Sequence, residues 1–149
     1  MNKIQRADIE DAYEILALQK LAYISEAEIL GDYTIQPLTQ TLDSLANEFD
    51  RNLILKYVSE GKIIGSIRAN EKKGTCYISK LMVHPDHQNK GIGKALVREI
   101  EHVFGNVRYE LFTSSQSNKN VSFYEKLGFT GYKTEKLATE ETNFVFMEK

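Results

Sequence analysis

The sequence has a single cysteine, Cys76, so it can form no internal disulfide and no cysteine-based zinc site. Set in a strand-like run with no histidine near it in sequence, Cys76 reads as a small packed hydrophobe rather than a nucleophile. No apolar run approaches the ~20 residues that a spanning helix needs. The opening MNKIQRADIEDAYE has no apolar segment of the signal-peptide kind. The expectation is a cytoplasmic chain without a membrane partner. A surplus of one charge is missing too: the formal net charge is −2, which argues against a general nucleic-acid binder. There are no repeats, low-complexity tracts or linkers. What remains is 149 residues, 42% hydrophobic and 27% charged, enough for one globular domain spanning 1–149 with a real core.

Short-range signals lay out the elements. KIQRA reads as an opening strand, and Asp8 as an N-cap with Asp11 favouring the positive end of the helix behind it. Ile9, Ala12, Tyr13, Leu16 and Leu21 follow an approximately helical spacing, so the first helix is expected to reach about Ile29, before Gly31 and Asp32. IQPLTQT reads as a loop, and a second helix starts near Thr41. LILKYVS, KIIGSIRANE and TCYISKLMV, joined at EGK and KKG, predict an antiparallel meander. A helix with Ile92, Leu96, Ile100 and Val103 on one side follows. Then come the strand VRYELFT, a short helix over NKNVSFYEKL stopped at Gly128, and a last hairpin from GYKTEK and TNFVFMEK. The order β-α-α-β-β-β-α-β-α-β-β predicts an α/β (α+β) fold, a mixed sheet with helices on both faces.

Between TCYISKLMV and the helix at Ile92 lies VHPDHQNKGIGKALV. Gln88-x-x-Gly91-x-Gly93 follows a strand and opens a helix, whose first N–H groups and positive dipole end suit an anion. Glycines let a phosphate approach those amides, and Gln88, Lys90 and Lys94 add donors or charge. The loop is a candidate diphosphate cradle, or simply a strand-to-helix turn eased by glycine. A P-loop is excluded, because Gly91 and Gly93 are too close and no Ser or Thr follows Lys94. So is a dinucleotide fingerprint, because Leu96 holds its third glycine position. His84 and His87 flank Pro85 and Asp86 and read as loop residues, so no metal is expected.

The second constellation is SNKNVSFYEKLGF, Ser117 to Phe129. Asn120 and Tyr124 are four apart and share a helix face, with Leu127 and Phe129 anchoring the helix. Together, LMVHPDHQNKGIGKAL and NVSFYEKLGF resemble the GNAT superfamily of N-acetyltransferases, whose Q/R-x-x-G-x-G/A motif and Y-E-K-L-G-F helix they match in order. The resemblance covers nearly the whole chain. It implies a mostly antiparallel sheet of about seven strands, splayed between the fourth and fifth. It implies acetyl-CoA as co-substrate, with its diphosphate on the amides of Gln88, Asn89, Lys90, Gly91, Ile92, Gly93 and Lys94. The pantetheine arm would pair with the backbone of Leu81, Met82 and Val83 and be bonded by Asn120. Tyr124 would protonate the departing thiolate, which fits a phenol that stays protonated at neutral pH. The N–H of Val83 would hold the oxyanion.

The resemblance further implies direct attack of an amine, small molecule or peptide N-terminus or lysine, on the thioester. That amine must be neutral. Deprotonating a lysine amine at pH 7 costs about 4–5 kcal/mol, against about 1 for an α-amino group. Many members of the superfamily carry a carboxylate on the central strands, whereas YISKLMV has none. Glu110 on the next strand is the first candidate base and Glu28 the second. Residues 23 to 40 are expected to form the acceptor wall, with Tyr23 and Tyr33 as sides and Glu26, Glu28 and Asp32 as an acidic mouth that steers a cation. A domain that binds acyl-CoA without turnover is the alternative. Homodimers are common among similar proteins, but no interface can be read from the sequence.

Overall fold

The structure, a computed structural model, describes residues 3–136 and 143–149. Met1, Asn2 and Thr142, which the readings above include, lie outside the described residues. In chain order the elements are β1 (Ile4–Arg6), α1 (Ala12–Ala22), α2 (Ile24–Leu30), α3 (Gln36–Thr39), α4 (Leu42–Glu48), β2 (Leu53–Ser59), β3 (Lys62–Lys72), β4 (Thr75–Val83), α5 (Ile92–Phe104), β5 (Arg108–Ser114), α6 (Asn118–Lys126), β6 (Thr130–Lys136) and β7 (Asn143–Glu148). Asp8 and Asp11 cap the entry to α1 reciprocally, the Asp8 N–H donating to Asp11 Oδ2 (3.0 Å) and the Asp8 carboxylate accepting from the Glu10 N–H (3.0 Å).

Two expectations need correction. The helix read as continuous to Ile29 is α1 and α2, with a break at Tyr23 (φ −88°, ψ 1°). Helical bonds meet at it from both sides: the Tyr23 N–H reaches Gln19 O (3.0 Å) and the Ala27 N–H reaches Tyr23 O (3.1 Å). The stretch read as a loop holds the single turn α3, which carries Pro37 in its first positions, where a missing N–H costs nothing.

The strands form one seven-stranded sheet in the order β1-β2-β3-β4-β5-β7-β6. Every neighbouring pair is antiparallel except β4–β5. Consecutive strand residues face opposite sides. Leu55 therefore joins Ile67, Cys76, Leu96, Ile100, Leu111 and Phe129 beneath α5 and α6, while Ile54 joins Ile15, Leu18, Leu45 and Met82 beneath α1 and α4. No helix among the described residues is long and apolar enough to cross a membrane.

One buried polar network braces the α1–α4 side. Arg68 on β3 is fully buried. Its guanidinium donates to Glu48 Oε2 (3.2 Å), Gln40 Oε1 (3.4 Å) and Gln19 Oε1, while its Nε has no hydrogen-bond partner among the described residues. Gln19 Nε2 in turn donates to Pro37 O and Gln40 Oε1, both at 2.9 Å. The network thus ties residues 37–40 to α1, α4 and the sheet.

Candidate active site

The parallel ladder between β4 and β5 is short. It pairs Thr75 with Arg108, Cys76 with Tyr109 and Tyr77 with Glu110, and stops there. Beyond it β5 turns to β7, while β4 is bent by a bulge: Ser66 pairs with Met82 and Arg68 with Ser79, so Lys80 and Leu81 together face Ile67. Lys80 sits at φ 51°. An added residue of this kind bends and twists its strand, and here it opens the sheet. The resulting cleft, of about 800 Å³, has Leu81, Met82 and Val83 on one side and Leu111 to Ser114 on the other. The His84 N–H bonds Ile64 O (2.8 Å). Since antiparallel pairs alternate, Met82 shares that bonded class and Val83 does not. The Val83 N–H and C=O therefore point away from β3, toward the cleft.

At the mouth, Gly91 is the N-cap of α5 at φ 82°, with no side-chain cap. The first bond of the helix runs from the Ala95 N–H to Gly91 O (3.0 Å), so the amides of Ile92, Gly93 and Lys94 precede it and mark the positive end. The two glycines have different reasons. A Cβ at Gly91 would meet nothing within 4 Å, so its backbone angle is what requires glycine. At Gly93 a Cβ would lie 3.3 Å from the Phe123 ring, so the missing side chain lets α5 close on α6. Gln88 bridges the loop, donating to Val83 O (3.4 Å) and accepting from Lys119 Nζ (3.1 Å). Gln88, Asn89, Gly91, Ile92 and Lys94 line the cleft, whereas Lys90 and Gly93 stand back from it.

Helix α6 forms the opposite wall. Ser117 caps it by accepting the Asn120 N–H (3.4 Å). It ends where the Gly128 N–H bonds Glu125 O (3.0 Å) and the Phe129 N–H bonds Tyr124 O (3.1 Å), a Schellman ending. Phe129 packs on Tyr124 with ring centroids 6.0 Å apart. The LGF stop thereby fixes the tyrosine. Tyr124 lines the cleft, and burial pushes its phenol above the usual value, with Tyr23 and Glu26 adding to the rise. Asn120 lines the cleft too. Its Nδ2 donates to Glu26 Oε1 and to Thr113 Oγ1 (3.3 Å).

The two carboxylates chosen as candidate bases do not face the cleft. Glu110 is not among its lining residues. It belongs to the last pair before the splay, where Arg108 Nη1 (2.9 Å) and the Tyr132 hydroxyl (2.8 Å) engage its Oε1. Glu28 is exposed and also off the cleft, because two residues along a helix lie about 200° apart. Asp32 accepts both the N–H and the hydroxyl of Thr34 (2.8 and 2.6 Å), bonds that lower its pKa. Tyr33 is 59% exposed and does not line the cleft, whereas Tyr23 and Glu26 do. Cys76 is buried, its thiol pushed up to about 12 chiefly by desolvation. Sequence reasoning also missed Thr113 and Ser117 as cleft-lining residues. The Ser117-x-x-Asn120 cap spacing was the available signal.

Comparison with known proteins sets this geometry in a family. The acetyltransferase (GNAT) domain model matches residues 24–149. Bacillus subtilis YqkA is 35% identical over 136 residues, 91% of this chain, and the chain spans 39% of YqkA's length. Glucosamine 6-phosphate N-acetyltransferase of Schizosaccharomyces pombe is 43% identical over 60 residues, 39% of this chain and 53% of that enzyme. The solved structure of PaiA N-acetyltransferase from Thermoplasma acidophilum in complex with coenzyme A superposes with a TM-score of 0.82 at 23% identity, covering 98% of this chain and 96% of that one. That last likeness establishes the fold.

Proposed function

The chain belongs to the GNAT acetyltransferases, and on that premise we propose that it moves an acetyl group from acetyl-CoA to a primary amine by direct attack in a ternary complex. The observation that carries the reading is the pairing, across one splay, of an uncapped helix start at Gly91–Lys94 with a half-buried tyrosine on α6. The amides of Ile92 to Lys94, with Gln88 and Lys119 beside them, suit the diphosphate. The Val83 N–H is the oxyanion donor. Tyr124 is the acid that serves the leaving sulfur. Residues 22–37 supply the acceptor wall, with Glu26 and the apolar Ile29 and Ile35 on it. The reaction runs in the cytoplasm within one domain, and a homodimer is compatible with it.

Binding without turnover is the second reading, and the placement of Glu110 and Glu28 off the cleft favours it. Thiol release from acetyl-CoA across a panel of amines decides. Release with one amine class is expected. Tight coenzyme binding with no release on any amine would support the binding module instead.

The loop makes its own prediction. Gly91→Ala forces a side chain into left-handed backbone at a cost of about 1–2 kcal/mol. If the variant's free loop relaxes from that backbone and binding must restore it, acetyl-CoA affinity falls roughly 5–30-fold. Titration calorimetry beside thermal unfolding measures it, and an unchanged Kd with an unchanged Tm would mean that the loop does not carry the coenzyme.

A further inference from the structure

Glu26 is the one carboxylate among the described residues that lines the cleft. Among those residues it forms no ion pair with Lys, Arg or His. Its partner is the neutral amide of Asn120. Burial raises the Glu26 carboxyl above the usual range, and the Asn120 bond pulls it partly back. A half-buried carboxylate that faces a cleft with no ion-pair partner among the described residues is a site for a cation.

The second observation is where that carboxylate is tied. Asn120 and Tyr124 are four residues apart on α6, hence on one face. A carboxylate held by Asn120 therefore stands beside the phenol that serves the sulfur, although it comes from the opposite wall, and its charge is felt at Tyr124. Tyr23, at the bend between α1 and α2, lines the same chamber. Its phenol is raised by burial and by Glu26.

Resting on the acetyl-transfer reading, we propose that Glu26 receives the acceptor's ammonium group and takes its proton, and that Asn120 is the positioning residue that holds the carboxylate on the cleft wall. The ammonium nitrogen gives one proton to a Glu26 oxygen. Its freed lone pair forms the N–C bond to the acetyl carbonyl carbon, and the C–S bond breaks. Tyr124 gives its proton to the sulfur, and the second surplus proton on nitrogen returns to the Tyr124 oxygen. Glu26 releases its proton to solvent, so one turnover yields an amide, a thiol and one free proton. The acceptor class is accordingly an amine that is cationic at neutral pH.

The test uses the full chain, acetyl-CoA and the best amine of the panel. The titratable groups that share the cleft with Glu26 are Tyr23, Tyr124, Lys80, His87, Lys94 and Lys119, so the variant itself must assign the pH limb. Glu26→Gln keeps an acceptor for Asn120 and removes the base. It is expected to lower kcat/KM for the amine about 10²–10³-fold at pH 7 with unchanged acetyl-CoA affinity. The deficit should shrink as the pH approaches the amine's own pKa. In the wild type kcat/KM rises with pH through a limb above the ordinary carboxylate range, and Asn120→Ala moves that limb higher. A loss under threefold for Glu26→Gln overturns the proposal while leaving acetyl transfer standing. So does a loss that stays constant with pH, which makes Glu26 a binding residue only. An Asn120→Ala variant that weakens acetyl-CoA binding without moving the limb overturns the positioning role. If the wild type binds acetyl-CoA but acetylates nothing, the acetyl-transfer reading falls, and this proposal with it.

Discussion

Tyr124→Phe is expected to lower kcat about 10²-fold, with acetyl-CoA affinity unchanged. General acid catalysis contributes 10²–10⁴-fold, and two facts place this case at the lower end. A thiolate is already a fair leaving group, since thiols ionise near pH 8.5. The Tyr124 phenol is raised by burial, so giving its proton to sulfur is uphill unless the nitrogen's surplus proton returns to it. The raised pKa also fixes the pH profile. The acid must be protonated, and its falling limb lies above the usual phenol value, so kcat should show no decline from Tyr124 up to about pH 10. Phenylalanine keeps the ring contacts with Phe123 and Phe129, so the fold is preserved. Steady-state kinetics beside calorimetry on acetyl-CoA checks both halves. An undiminished kcat would remove Tyr124 from the chemistry.

Arg68→Ala should cost about 3–5 kcal/mol of stability, the range for breaking one side of a buried ion pair. The substitution leaves Gln19 Oε1 without its donor and Glu48 without its counter-charge, and it opens a cavity in a fully buried site. For a chain of this length that is a fall in Tm of roughly 10–20 °C. Arg68→Met together with Glu48→Met should cost less than the single change, because no charge is then stranded. The network also holds the Pro37 carbonyl on the acceptor wall, so KM for the amine should rise more than KM for acetyl-CoA. Thermal and denaturant unfolding measure the first effect. A cost below 1 kcal/mol would mean that water replaces the lost donors.

What was legible in the sequence was local. The loop between β4 and α5 declares itself because a left-handed N-cap needs Gly91, and α6 because Leu127-Gly128-Phe129 both stops the helix and pins Tyr124. The meander followed from period-two patterns broken at EGK and KKG. The bend at Tyr23 has no proline or glycine to announce it, yet it carries Tyr23 and Glu26 into the cleft. The bulge at Lys80, which opens the sheet, is likewise silent in TCYISKLMV. Which carboxylate faces the cleft was hidden for the same reason. Glu110 is engaged in part by Tyr132, 22 residues away, and Glu26 by Asn120, 94 residues away. Only the folded chain brings those partners together. Arg68 is a charge inside an apolar strand, and its partner Glu48 lies 20 residues away in sequence.

Direct transfer of an acetyl group in the β4–β5 cleft leaves no acetyl on the protein at any stage. A single turnover with acetyl-labelled acetyl-CoA tests it most directly, with protein in slight excess and the amine withheld and then added. No label is expected on the chain before the amine is added and all of it on the amine afterwards, with one thiol released per acetyl moved. Label on the protein before the amine arrives, or label that stays on the coenzyme with every amine, would contradict it.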